Sequence, residues 1–406
     1  MSQPSPPHCI KIGLAGTFQP TGTVHTSPTD IDQLCEQLKA DETNRLLLYF
    51  HGGLNAEADG LRCAEHLRQR FQSKTFPITF VWETGLQETL VERITCWLNN
   101  PMFRKIRDYV SIFGARYASQ EGGVRGTGTG PSLAAAAREF DQAQPFAHLD
   151  AGLALPTDLD DLTPRLEAEL EGDFATDEEL QTLVADELKA GNLAAKRLVG
   201  EGEVRGSRIG GFWLYPAKCA AKIVWRVYRR YAAKTQHGFY PTVAEEIIRE
   251  LYLAEVGAWV WASMKRKAHD MWARNDGLIG DERYVGAYFL ERLEELRQAK
   301  PSLQVDLVGH SAGSITICHL LAAARRTERL KFRNVIFLAP ACTCELLHRE
   351  IVLQPGRYER FRLFALDDAL ECADQLRPGL YTRSLLYLVS GALEEHPDTP
   401  LAGLQR

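Results

Sequence analysis

The chain has 406 residues, 45% of them apolar, and a formal net charge of −6. That is enough apolar material for one large core and a sizeable excursion, while the slightly acidic balance excludes a global basic field that would draw the protein to nucleic acid or anionic lipid. Nine cysteines, an odd count without a C-x-x-C pair, read as reduced thiols, and neither a leader after MSQPSPPHC nor a stretch near about 18 apolar residues is visible, so a cytoplasmic protein is expected.

In chain order, IKIGLAG (10–16) and RLLLYF (45–50) are short apolar runs ending at or near glycines and read as buried strands. The second runs directly into His51-Gly52-Gly53. After it, Leu61, Ala64, Leu67 and Phe71 recur at helical spacing, and FPITFVWE reads as another strand.

The same rhythm returns at 281. Val285, Phe289, Leu293 and Leu296 form one helical stripe, followed by the strand LQVDLVG, a helix to about 325, the strands NVIFLAP and RFRLFAL, and a helix over TRSLLYLVSGALEE. Strands apolar throughout and alternating with helices indicate an α/β fold with a mostly parallel sheet covered on both faces. The expected core is therefore 1–85 with 281–406, interrupted by a mainly helical insertion at 86–280.

Within the insertion, the glycine-rich 121–132 reads as a loop. Residues 150–190 carry thirteen acidic residues against two basic ones with leucines interspersed, the pattern of a solvated helical face. From 217 to 235, AKCAAKIVWRVYRRYAAKT mixes apolar, aromatic and basic residues at helical spacing. Its arginines can lie over an apolar stripe packed on the body, which is the favoured reading; the alternative is peripheral contact with an anionic membrane surface.

Chemistry concentrates at VDLVGHSAGSITICHLL, 305–321. A serine raised on a tight strand-to-helix turn needs small residues two positions to either side, and Gly309 and Gly313 meet that need around His310-Ser311-Ala312. Such a turn exposes the Ser311 hydroxyl and sets the Ala312 amide at a helix N-terminus, where it can donate to a developing oxyanion. Gly53 is the candidate second donor, because a backbone without a side chain can approach a substrate carbonyl. No P-loop and no dinucleotide fingerprint competes with this reading.

With YFHGGLN and VGHSAGS in this order, each after a strand, the chain resembles the α/β-hydrolases. The resemblance covers 10–84 and 281 to about 395. It implies a serine hydrolase whose catalytic residues run serine, acid, histidine, with the insertion as a cap and without metal or organic cofactor.

The implied acid follows the second strand after the elbow strand. Asp367 is the first candidate and Asp368 the alternative, with Glu371 and Asp374 in reserve. The implied histidine is His396, the only one beyond the acid, although no final strand precedes it; His51, His269, His319 and His348 remain open as substitutes, as does an incomplete triad. The expected function is cleavage of a carboxylic ester, a small molecule or a lipid, by a Ser311–His396–Asp367 triad. A peptidase or thioesterase would use the same residues, and a hydrolase-like binding scaffold would not need them all. Oligomeric state leaves no mark on the sequence.

Overall fold

The computed structural model describes residues 3–53, 57–82, 94–118, 139–140, 142–150, 159–200, 213–326 and 330–405. The glycine-rich stretch 121–132 and residues 54–56 after His51-Gly52-Gly53 lie outside them.

The chain divides into two compact units. The first comprises 1–91, 260–368 and 400–406, and the second 92–259 with 369–399. The first is an α/β unit. Its described residues form eight strands: β1 (Gln3–Pro4), β2 (Cys9–Ile12), β3 (Val24–His25), β4 (Arg45–Phe50), β5 (Phe76–Trp82), β6 (Gln304–His310), β7 (Phe332–Leu338) and β8 (Tyr358–Phe364). β1 and β3 pair by themselves, while the other six form one sheet in the order β2-β5-β4-β6-β7-β8, all parallel.

Parallel strands need crossovers, and crossovers supply the helices that cover the faces. Helix Glu57–Phe71 joins β4 to β5 and packs Ala64 against Cys9 and Val81. Helices Val285–Ala299 and Gly313–Ala324 flank β6 in sequence, and all four residues of the stripe Val285, Phe289, Leu293 and Leu296 are buried. Central strands are dry: Leu46, Leu48, Phe50, Ile78 and Phe80 have no exposed surface. Phe50 and Phe80 stack at 4.6 Å, with Trp272 beside both rings.

One helix of this unit, Pro28–Ala40, was not anticipated by periodicity. Its signal is local, a capping box in which the Ser27 hydroxyl accepts from the Asp30 amide and the Asp30 carboxylate accepts from the Ser27 amide.

The second unit is helical. Helices Leu159–Thr176 and Glu178–Lys189 carry the acidic run and bury Leu166, Leu170, Phe174, Leu180 and Val184. Helix Leu214–Ala233 buries Ile223, Val224, Val227, Tyr228 and Tyr231 and leaves Arg229 outside. Its apolar stripe is thus used in packing.

The unit boundaries differ from 86–280. Residues 260–280 join the sheet unit, where Trp272 meets Phe50 and Phe80. Residues 369–399 join the helical unit. The helix read over TRSLLYLVSGALEE is shorter, Leu385–Leu388 running directly into a π-helical segment Val389–Leu393. Gly391 faces the buried Glu245 carboxylate, where any Cβ would overlap it, and Arg249 donates to the carbonyls of Gly391, Ala392 and Glu394. Among the described residues, no helix is long and apolar enough to cross a membrane.

Candidate active site

From β4 the chain crosses to β5 on one side of the sheet, and from β6 it crosses to β7 on the other. The loops leaving the C-terminal ends of β4 and β6 therefore part, and a parallel sheet has its crevice at such a switch point. The register pairs Phe50 with Gly309, which carries His51-Gly52 level with His310-Ser311. Both sequence motifs thus meet at one place in the sheet unit.

Ser311 has a φ of +48°, in the left-handed region that costs a non-glycine residue roughly 1–3 kcal/mol. Surrounding bonds hold it there. Its amide donates to the Leu338 carbonyl at 2.9 Å, and its carbonyl accepts from the Ser314 and Ala341 amides at 3.0 and 3.1 Å and from the Ser314 hydroxyl at 2.6 Å. The Ser314 hydroxyl in turn accepts from the Cys342 amide at 3.1 Å. Ser314 is a supporting residue that the motif alone did not reveal, although it stands three places after the serine.

The two flanking glycines are sterically required. A Cβ on Gly309 would come 2.8 Å from the Gly313 carbonyl, and one on Gly313 would overlap the Phe50 carbonyl oxygen. Ala312 is buried at the start of helix Gly313–Ala324. Among the described residues, neither its amide nor that of Gly53 donates a hydrogen bond.

His51 shapes the facing loop. It has no exposed surface, its Nδ1 donates to the Gly52 carbonyl at 2.7 Å, and its Nε2 accepts from the Trp82 amide at 3.3 Å. Burial lowers its pKa to about 4, against the opposing effect of the Gly52 hydrogen bond. A neutral ring with both nitrogens engaged is a brace and not a proton acceptor. The next anchor is Glu57, whose carboxylate meets the buried Lys11 ammonium at 2.6 Å and the Thr23 amide at 2.9 Å.

The implied acid candidates stand where the order of strands puts them. Asp367 is exposed just beyond β8, and Asp368 opens the helix Asp368–Ala373 with its amide donating to the Gln405 side chain at 3.0 Å. Glu371 is buried in that helix, in the second unit, and Asp374 follows it. His396 also belongs to the second unit, exposed in the turn after Leu393, and its carbonyl accepts from the Thr399 hydroxyl at 2.7 Å.

None of the substitute histidines is hydrogen-bonded to the serine. Among the described residues, the Ser311 hydroxyl makes no hydrogen bond at all. His310 lies against Gly52, where an added Cβ would be 2.8 Å from its Nδ1. His319, half-buried beside His269, is lowered to about 4 by desolvation first and by that neighbour second. His348 is exposed on the segment His348–Val352.

One donor set elsewhere has the composition of a metal site. His237, Glu245 and Asp398 of the second unit present ligand atoms within 4.8 Å of one another. The Arg230 guanidinium already occupies that centre, 2.6 Å from Glu245 and in contact with Asp398, so a metal ion would face a fixed cation. All nine cysteines are free thiols, and burial pushes Cys9, Cys35 and Cys219 up to about 12, which leaves these three inert near neutral pH. No family model, no curated protein and no solved structure matches this chain.

Proposed function

We propose that this protein is a serine hydrolase of the α/β-hydrolase type that cleaves a carboxylic ester, a small molecule or a lipid, through Ser311. The observation that carries the reading is the backbone of Ser311, held at a φ of +48° at the switch point of a parallel sheet. A strained serine between two obligatory glycines supports a nucleophile, because such strain persists only where the surroundings enforce it.

In the proposed reaction the Ser311 hydroxyl attacks the ester carbonyl and passes its proton to a histidine, His396 being the candidate. The Ala312 and Gly53 amides receive the oxyanion, and Asp367 or Asp368 orients the imidazole. The protonated histidine then gives its proton to the leaving alkoxide. Water attacks the acyl-enzyme by the same route and regenerates the serine. The helical unit, read as a cap, would choose the acyl group.

A fluorophosphonate probe tests this directly. Labelling of the wild type that disappears in Ser311→Ala, and falls steeply in His396→Gln and in Asp367→Asn or Asp368→Asn, is the expected result. Nitrophenyl esters of increasing chain length then separate short-chain esters from lipid-like ones. The second reading, a binding scaffold on the same fold, is favoured by the absence of a hydrogen bond to the Ser311 hydroxyl among the described residues. It predicts no labelling of either protein.

A further inference from the structure

The second unit contains a cavity of about 530 Å³ to which two helical segments contribute four arginines. Helix Leu214–Ala233 contributes Arg226, Arg229 and Arg230, and the π-helical segment Ile248–Gly257 contributes Arg249. Their charges are unequally matched. Arg230 is buried and shared among Glu245, Glu246 and Asp398, while Arg226 meets Glu250 at 2.6 Å.

The other two have no carboxylate partner among the described residues. Arg229 is exposed and lies over the Trp225 ring at 4.7 Å. Arg249 is half-buried and donates only to main-chain carbonyls, those of Gly391, Ala392, Glu394 and Glu395, at 3.2–3.5 Å. Burial lowers its pKa, and despite the attraction of Glu246 the nearby Arg230 and Arg226 cations lower it too. A half-buried guanidinium beside two other cations is stabilised by an added anion.

We propose that this cavity is a binding site for a phosphomonoester, with Arg229 and Arg249 holding the phosphate oxygens. Guanidinium groups present pairs of N–H donors that match phosphate edges, and two of them approaching from different segments suit a group with three terminal oxygens. The volume exceeds that of a phosphate several-fold, by the roughly 30 Å³ scale of one water. Glu246 and Glu250 also face the cavity, paired with Arg230 and Arg226, and Trp225, Ala233, Thr235 and Pro397 line the remainder, so the ligand carries an organic group next to its phosphate. Two sources share this chemistry, a soluble phosphate ester and the headgroup of phosphatidic acid. The site lies wholly within the helical unit and does not depend on the hydrolase reading.

Glycerol 3-phosphate and vesicles of phosphatidylcholine with phosphatidic acid are the two probes. Calorimetric titration of the full chain should give saturable binding of glycerol 3-phosphate that weakens about tenfold or more in Arg229→Gln, the loss of one charge-assisted contact. Arg229 is exposed, so the variant should keep its melting temperature; Arg249→Gln provides a second reading of the same site. If only the phosphatidic acid vesicles are bound, with the same dependence on Arg229 and no binding to phosphatidylserine vesicles, the ligand is the lipid headgroup. The proposal is overturned if neither probe binds, if Arg229→Gln binds as well as the wild type, or if phosphatidylserine binds equally.

Discussion

Gly52 faces Ser311 from the neighbouring loop: a Cβ placed on Gly52 would lie 3.4 Å from the Ser311 Cβ and 2.8 Å from the His310 Nδ1. These residues are 259 positions apart in the chain, and the register of β4 on β6 makes them neighbours. Gly52→Ala should therefore push against the His310 ring next to the serine while leaving the Ser311 hydroxyl intact. Expected are a loss of about 1–3 kcal/mol in urea unfolding and slower fluorophosphonate labelling. Wild-type labelling rates in the variant would show that the loop has no part in the site.

Ser311 and Gly313 should respond in opposite directions. Ser311→Gly removes a side chain from a left-handed backbone and should raise stability by about 1 kcal/mol while abolishing labelling. Gly313→Ala forces a methyl group into the Phe50 carbonyl, a main-chain atom that cannot swing away, and should cost about 3 kcal/mol or more. Chemical denaturation of the two proteins beside the wild type measures both signs. A destabilised Ser311→Gly would mean that the turn carries no strain.

His51 makes stability depend on pH in a known direction. Its pKa is near 4 in the fold and about 6.5 in the unfolded chain, so below pH 6.5 the unfolded state takes up the proton first. The contribution is complete above that value and is lost as the pH falls, by about 3 kcal/mol at pH 4. In His51→Gln the amide can accept from Trp82 and donate to Gly52 without titrating. Urea melts of both proteins between pH 7 and 4 should diverge by this amount; parallel curves would rule the effect out.

Arg230 neutralises the buried acids of the helical unit. Burial alone would raise the Glu245 carboxyl, but His237 and Arg230 more than offset it and hold it at about 2. Stability from this group is present above the unfolded value near 4.3 and fades as the pH falls toward 2. Arg230→Met leaves Glu245 and Asp398 without their cation and should cost about 3–5 kcal/mol at pH 7. A melting curve within experimental error of the wild type would contradict this account of the cluster.

Much of the sheet unit is legible in the sequence because its signals are local. RLLLYF becomes β4 residue for residue, and LQVDLVG and NVIFLAP supply most of β6 and β7, since parallel strands buried on both faces are apolar without alternation. The stripe from Val285 to Leu296 faces inward as its spacing requires. Gly309 and Gly313 announce a turn that only small residues permit.

Tertiary structure decides what spacing does not encode. Pairing of Phe50 with Gly309 depends on which strands become neighbours, so the approach of Gly52 to Ser311 appears only after the sheet closes. His51 reads in the sequence as part of the His-Gly-Gly motif and as one open substitute for His396, and burial together with its bonds to Gly52 and the Trp82 amide makes it a neutral brace. The segment 369–399 reads as part of the core, yet it packs with the helical unit, where Gly391 makes room for Glu245 and Asp398 meets Arg230. Strand and helix periods reflect each residue's exposure to water; the meeting of distant charges and loops is settled by packing between segments far apart in the chain.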